Sequence, residues 1–288
     1  MIRTIAILLT LLPLVLPLST VIFGPQSREL LLLTAKLAAR EGIATSCICS
    51  EGTEVGCRRL MYGTDYADLG IDDPSKAKPI STAKDIGLAL ESCDAITLIN
   101  YDAPVEASLL NTLISNSGPN LSKIVVLSKM GVTRAKGGFF SGTESKLSEA
   151  EAVIRTTCRE KNLSLSVVRA GVLKGGGPGK DGNDFGMNRV YYNTLFDIVE
   201  ASVTMAHDKF TVGAAVEAGD PVDLPNMLSQ MASKSSFEPA RGETNRIVAA
   251  GAAVAALLRE EAIEVSVSSA KSEELVTMVE WNKLFSTI

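Results

Sequence analysis

Val21-Ile22-Phe23-Gly24-Pro25-Gln26-Ser27-Arg28-Glu29-Leu30 sets a short apolar run against a glycine and then turns into a helical pattern. Over Arg28–Glu41 the residues Leu30, Leu33 and Leu37 fall on one helical face, Lys36 and Arg40 on the other, and Gly42 closes the element. A strand that breaks at a glycine and enters a helix directly is the first half of a βαβ unit. The same alternation continues outward. Strands are expected at Val21–Phe23, Ala44–Cys49, Arg59–Tyr62, Ala95–Asn100, Lys123–Ser128, Leu165–Ala170 and Ile263–Val267, with helices at Thr82–Ser92, Pro104–Asn116 and Thr143–Lys161 between them. Strands separated by helices imply a doubly wound parallel α/β sheet. Beyond Ala170 the alternation lapses, and the stretches Gly175–Gly186 and Gly219–Pro225 suggest a small C-terminal substrate-side lobe around 175–243. Thr244–Arg259 then reads as an Ala-rich helix and Glu273–Phe285 as a final amphipathic one.

Composition narrows the function. The chain has 288 residues, 46% of them hydrophobic, which is enough for a substantial core. A net charge of −5, with no basic run interleaved with aromatics, argues against a nucleic-acid partner. The five cysteines (Cys47, Cys49, Cys57, Cys93, Cys158) lack metal-ligand spacing, so no metal is expected, and they read as buried free thiols. Cys47 and Cys49 alternate within a strand and share a face. The single histidine, His207, sits late in a helix-like stretch and reads as a helix C-terminal cap. Residues 1–19 form a hydrophobic targeting or anchoring segment: Arg3 precedes an apolar run from Ile5 to Leu18, broken by Pro13 and Pro17. That run is shorter than the about 20 residues of a spanning helix and suits a secretory or plastid signal, with cleavage near Ser19 or Thr20. A buried helix or extended strand is the competing reading. The folded domain would then cover residues 20–288, touching a membrane only through the N-terminal segment.

Three later stretches carry a resemblance: Lys123-Ile-Val-Val-Leu-Ser-Lys-Met-Gly131, Gly142-Thr-Glu-Ser-Lys146 and Ser166-Val-Val-Arg-Ala-Gly-Val-Leu173. Together they resemble the atypical short-chain dehydrogenase/reductase (SDR) superfamily, of the NmrA-like and plastid type. In that family a core strand ends in a serine turn, a helix carries a lysine, and the next strand ends in Val-Arg-Pro/Ala-Gly. The late helix from Thr244 is similar as well. The resemblance implies a Rossmann-type fold that binds NADP or NAD at the carboxyl ends of its strands. On this basis the cofactor residues would be Gly24, Gln26, Ser27, Arg28, Ser50, Asn100, Ser128, Lys146, Ala170, Gly171 and Val172.

Two family patterns are damaged. The G-x-x-G-x-x-G turn after the first strand keeps Gly24, but Ser27 and Leu30 replace the other glycines. The helix N-terminus still offers backbone N–H groups to an anion, and Arg28 still offers a phosphate partner. Ser50-Glu51 after the second strand, with Arg58 and Arg59 further on, leaves NAD against NADP open. The family's Tyr-x-x-x-Lys pair, in which lysine binds the ribose and lowers the phenol pKa, retains Lys146 but has Gly142 in place of the tyrosine. Phe139 and Phe140 nearby carry no hydroxyl. Lys146 and Ser128 are the remaining catalytic candidates, with Tyr191 or Tyr192 as distal alternatives. Gly175-Gly-Gly-Pro-Gly-Lys180 lacks the glycine and Ser/Thr of a Walker loop and reads as a mobile loop over the crevice. Three functions stay open: an NAD(P)-binding protein with little or no turnover, serving redox sensing or assembly; an oxidoreductase with a rebuilt site; and a nucleotide-free scaffold for protein partners.

Overall fold

In the computed structural model, residues 18–26, 28–69, 73–134, 142–178, 185–189, 205–221, 239 and 242–288 are described. The strands are β1 (Ser19–Phe23), β2 (Ala44–Ile48), β3 (Lys78–Ile80), β4 (Ala95–Asn100), β5 (Lys123–Lys129), β6 (Ser164–Ala170), β7 (Val172–Lys174), β8 (Gly213–Ala218), β9 (Glu243–Asn245) and β10 (Glu264–Ala270). The helices are α1 (Arg28–Arg40), α2 (Glu54–Tyr62), α3 (Thr64–Leu69), α4 (Ala83–Ser92), α5 (Ala107–Ser115), α6 (Gly142–Glu160), α7 (Arg246–Leu258) and α8 (Met278–Phe285). Eight strands form one sheet in the order β3-β2-β1-β4-β5-β6-β10-β8, parallel except for the edge strand β8. Strands β7 and β9 pair separately. This is the doubly wound Rossmann-type architecture expected from the sequence.

Burial on both faces explains the continuous apolar strands. Along β5, Ile124 and Val126 face a core completed by Leu110 and Leu113 of α5 and Ile154 and Cys158 of α6. Val125 and Leu127 face the opposite core, built from α1 and α7. Helix α7 is buried from Ile247 to Leu257, and its alanines let it lie close against the leucines of α1.

That packing corrects the reading of α1. Lys36 was expected on a solvated face, yet it is 3% exposed and its Nζ donates to the Gly186 carbonyl at 2.7 Å. Helix α7 and the segment 185–188 cover the face a lone amphipathic helix would leave wet. The expected strand Arg59–Tyr62 is also corrected: those residues close α2, and the third strand is Lys78–Ile80. Strand β1 begins at Ser19, whose N–H and hydroxyl donate to Asp94 Oδ2 at 2.8 and 2.7 Å. The sheet therefore takes up one residue that the sequence reading gave to the N-terminal segment. Residues 1–17 and most of the expected lobe lie outside the described residues. Among the described residues no helix is long and apolar enough to cross a membrane.

One buried ion cluster joins β6, α6 and β10. Arg169 is fully buried and pairs with Glu151 and, at 2.8 Å, with Glu264, while Asp220 lies 4.0 Å away. Arg155 contacts the same two glutamates at 2.9 and 2.8 Å. Asp220 also accepts from the Gly131 and Thr133 amides at 2.7 and 3.1 Å, which ties down the loop leaving β5. Burial works against the Glu264 charge, but the two guanidinium groups outweigh it and hold the carboxyl below its ordinary 4.5. The stability that Glu264 contributes is thus present above that value and lost as pH falls through the lowered pKa. Arg169→Met should cost about 3 kcal/mol in urea unfolding at neutral pH, at the low end for a broken buried pair because Arg155 remains. The variant should also lose less of its stability than the native chain does on acidification, and an equal loss would remove the cluster from this account.

Candidate dinucleotide cleft

Strand order reverses between β1 and β4, and a crevice opens there outside the carboxyl ends of β1 and β2. Its volume is about 540 Å³, within the range of small-molecule sites. The floor is the turn Gly24-Pro25-Gln26, one wall is the start of α1, and the other runs from Ile48 through Ser50 to the first turn of α2.

The first glycine of the damaged fingerprint is there for a steric reason. A Cβ on residue 24 would stand 2.7 Å from the Ile99 Cβ and 3.2 Å from the Ile99 carbonyl oxygen of β4. Only glycine lets the chain leave β1 this close to its neighbour. Arg28 begins α1, is exposed, and has no carboxylate partner among the described residues. Its guanidinium lies over Gly56 of α2, where an added Cβ would sit 3.5 Å from Nη2. At the far wall, Thr53 caps nothing with its side chain. Its hydroxyl donates to the Ser50 carbonyl at 2.7 Å and lies 3.9 Å from the Cys57 sulfur.

The five cysteines are free thiols as the sequence suggested, all of them buried except the half-buried Cys49. Cys49 and Cys57 both line the cleft. The Cys49 thiol donates to the Ile80 carbonyl at 3.6 Å, and the neighbouring Cys49 and Arg28 together outweigh burial and lower the Cys57 pKa to about 6. The neighbouring Cys57 and burial push Cys49 up, and burial, followed by Cys57, does the same for Cys47. The same-face alternation of Cys47 and Cys49 was visible in the sequence; α2 bringing Cys57 over that face was not, because the residues around it read as a strand. Among the described residues no group of three or more His, Cys, Asp or Glu side chains could hold a metal ion.

Gly24, Gln26, Arg28 and Ser50 are brought together in the cleft; Ser27 lies outside the described residues. The other candidates sit elsewhere. Asn100 is fully buried, with Nδ2 donating to the Leu147 carbonyl at 3.2 Å and Oδ1 accepting from the Val105 amide at 2.9 Å. Ser128 is fully buried, and its hydroxyl finds no hydrogen-bond partner among the described residues. Lys146 is exposed on the first turns of α6, and Gly142 faces open space. Ala170 and Gly171 are buried behind Tyr101, whose hydroxyl donates to the Gly171 carbonyl, while Val172 is half-buried on β7. Phe139, Phe140, Tyr191 and Tyr192 lie outside the described residues.

Two further readings change. The glycine loop after β7 was expected to be mobile, but its opening is buried and anchored. The Gly176 and Gly177 amides donate to the Asp208 carboxylate at 2.6 and 2.8 Å, so a side chain occupies the nest that a phosphate would need. His207, read as a helix cap, is buried within a helical turn over 205–210. Burial and the nearby Lys174 lower its pKa, so the ring is neutral at pH 7 and supplies no capping charge.

No protein-family model and no curated protein matches this chain by sequence. Solved structures do share its fold. A wide-type short-chain dehydrogenase/reductase from Veillonella parvula in complex with NADP aligns with a TM-score of 0.51 at 9% identity, covering 88% of this chain and 95% of that one. The ethylated form of a Veillonella parvula short-chain dehydrogenase/reductase aligns at 0.51 and 11%, covering 88% and 94%. Yeast methylglyoxal/isovaleraldehyde reductase complexed with NADPH aligns at 0.51 and 8%, covering 86% and 76%. At these identities the likeness is one of fold alone: the chain has a Rossmann-type fold like that of these reductases.

The two glycines offer a matched test. Gly24→Ala should lower stability by roughly 1–3 kcal/mol, through overpacking against Ile99. Gly142→Ala, in open space at a helix start, should be neutral or stabilising by up to about 1 kcal/mol. Equal urea midpoints for the two variants would mean that Gly24 is not held by contact with β4.

Proposed function

We propose that this chain binds NADP or NAD in the β1–β2 cleft and does so without the hydride chemistry of the family it resembles. The observation that carries the reading is Arg28, an exposed guanidinium at a helix N-terminus, facing a cleft of ligand size and lacking a carboxylate partner among the described residues. A pyrophosphate fits that donor set: the helix dipole and a fork of N–H groups favour negative charge there. The adenosine would lie along Ser50 and Thr53. NADP in the Veillonella parvula protein and NADPH in the yeast reductase make a nicotinamide dinucleotide the natural ligand to test.

Support for the missing chemistry comes from the other half of the crevice. Position 142 offers no phenol, Ser128 is enclosed, and the exposed Lys146 lacks the tyrosine whose pKa it would lower. Proton transfer needs a group at hydrogen-bond distance from the reacting oxygen. A protein that grips the dinucleotide without turning it over suits redox sensing or assembly.

Calorimetric titration of the full chain with NADPH and NADH tests this. Binding of about micromolar strength is expected for at least one, and Arg28→Ala should weaken it about tenfold or more, as for a lost charge-assisted hydrogen bond. No consumption of NADPH is expected across a panel of aldehydes and ketones. Turnover that disappears on Lys146→Ala would instead favour an oxidoreductase with a rebuilt site, and no binding at millimolar cofactor would favour a nucleotide-free scaffold.

A further inference from the structure

We propose that the cleft reads only the adenosine diphosphate moiety of its ligand, so that the nicotinamide half of a bound dinucleotide stays in solvent and adds nothing to affinity. The inference rests on the function proposed above and narrows its ligand. Any nucleotide carrying an ADP group would serve, and the oxidation state of a nicotinamide ring would go unread.

The cavity itself stops short of the nicotinamide end. Among the described residues its lining comes from β1, α1, β2, α2 and the turns between them, from Phe23 to Cys57 and no further. The groups left open within it suit an ADP moiety. Gln26, Arg28 and Ser50 are exposed, and neither the Gln26 amide nor the Ser50 hydroxyl has a hydrogen-bond partner among the described residues. The Arg28 guanidinium at the start of α1 matches a pyrophosphate, and the amide and hydroxyl match a ribose. Leu31, Leu32 and Ile48 add an apolar surface for a flat base.

The strand ends beyond β1 are closed. At the end of β6 the backbone groups from the Ala170 carbonyl to the Val172 amide are all taken. The Ala170 carbonyl accepts from the Met130 amide at 2.8 Å, and the Gly171 amide donates to Thr244 Oγ1 at 2.8 Å. The Gly171 carbonyl accepts from the Tyr101 hydroxyl, and the Val172 amide donates to the Gly242 carbonyl at 2.8 Å. Packing there is equally close, since a Cβ on residue 171 would run into the Gly242 carbonyl oxygen. At the end of β4 both polar atoms of the Asn100 amide are held, by Leu147 and Val105, and at the end of β5 Ser128 is enclosed. A nicotinamide carboxamide could bind here only by breaking buried hydrogen bonds and leaving their partners unmet, which costs more than it returns. Oxidised and reduced dinucleotides differ only in that ring, and a protein responds to a difference only through differential contacts. The site therefore answers to the amount of nucleotide and not to its redox ratio. Of the two roles named above, that favours assembly over redox sensing.

Calorimetric titration of the full chain can compare each dinucleotide with the same molecule lacking nicotinamide: ADP-ribose against NADH and NAD, and ADP-ribose 2′-phosphate against NADPH and NADP. Within each set the dissociation constants should agree to about threefold. Free ADP should displace ADP-ribose, and nicotinamide mononucleotide should not bind at millimolar concentration. Bound NADH should keep the fluorescence of the free dinucleotide, because its ring remains in water. A dinucleotide that binds about tenfold or more tighter than its nicotinamide-free counterpart would overturn the inference and leave the dinucleotide site standing. So would oxidised and reduced forms that differ by as much, or ADP that fails to compete. No binding by ADP-ribose, its 2′-phosphate or any of the dinucleotides would overturn the proposed function, and this inference with it.

Discussion

Residue 24 is where β1 has to stop. The strand is hemmed by β2 on one side and β4 on the other, and any side chain there would press into the Ile99 Cβ and carbonyl. The backbone must leave at a glycine, turn sharply, and start α1 at Arg28. Everything at the ligand end follows from that contact. It puts the amides of α1 at the switch point, points Arg28 across the mouth towards α2, and leaves the volume between the two helices open. The other fingerprint positions are under weaker constraint: α1 is completely buried from Leu30 to Ala39, so Leu30 belongs to its packing against the core and not to the cleft. Leu30 is instead part of the core that α1 shares with α7.

The parallel core was legible because its strands are buried on both faces and so read as unbroken apolar runs bounded by turn residues. The failures share one cause, namely neighbours distant in sequence. Arg59–Tyr62 is apolar enough to pass for a strand, yet it continues a helix begun at Glu54, while Lys78-Pro79-Ile80 is too short and polar to announce itself beside β2. Lys36 reads as solvated until α7 and Gly186 are brought over it. Strand β8, Gly213-Ala-Ala-Val-Glu-Ala218, has little apolar pattern because it is an edge strand, held by antiparallel pairing to β10. At the site, Gly24, Gln26, Arg28 and Ser50 line one cleft, because strand ends converge in any such sheet. Whether a strand-end side chain faces the crevice or serves as a tie depends on packing, which explains Asn100 and Ser128. The Asp208 contacts that fill the glycine loop link segments far apart in sequence, and no local pattern announced them.

Those ties divide the carboxyl edge into two halves of different character. On the β4–β6 side, Asn100 clamps α6 to the loop before α5, Tyr101 clamps Gly171, and Asp220 clamps the turn after β5. Polar groups that could have met a substrate are satisfied within the protein, or, like the Ser128 hydroxyl, enclosed. On the β1–β2 side the polar groups face open space. Buried hydrogen bonds are costly to break once formed, so the first half is rigid by construction and the second is able to accept a guest.

This division bears on what a dinucleotide could do here. In a Rossmann crevice the adenosine and pyrophosphate supply affinity, whereas the acid–base groups beside the nicotinamide ring act on the reacting atoms. Interactions with the non-reacting portion bind ground state and transition state alike; they set occupancy and do not lower the barrier by themselves. On the function proposed above, a chain that keeps Gly24, Arg28 and the β2 wall but has Gly142 in place of a phenol would retain the terms that report dinucleotide concentration and give up those that consume it.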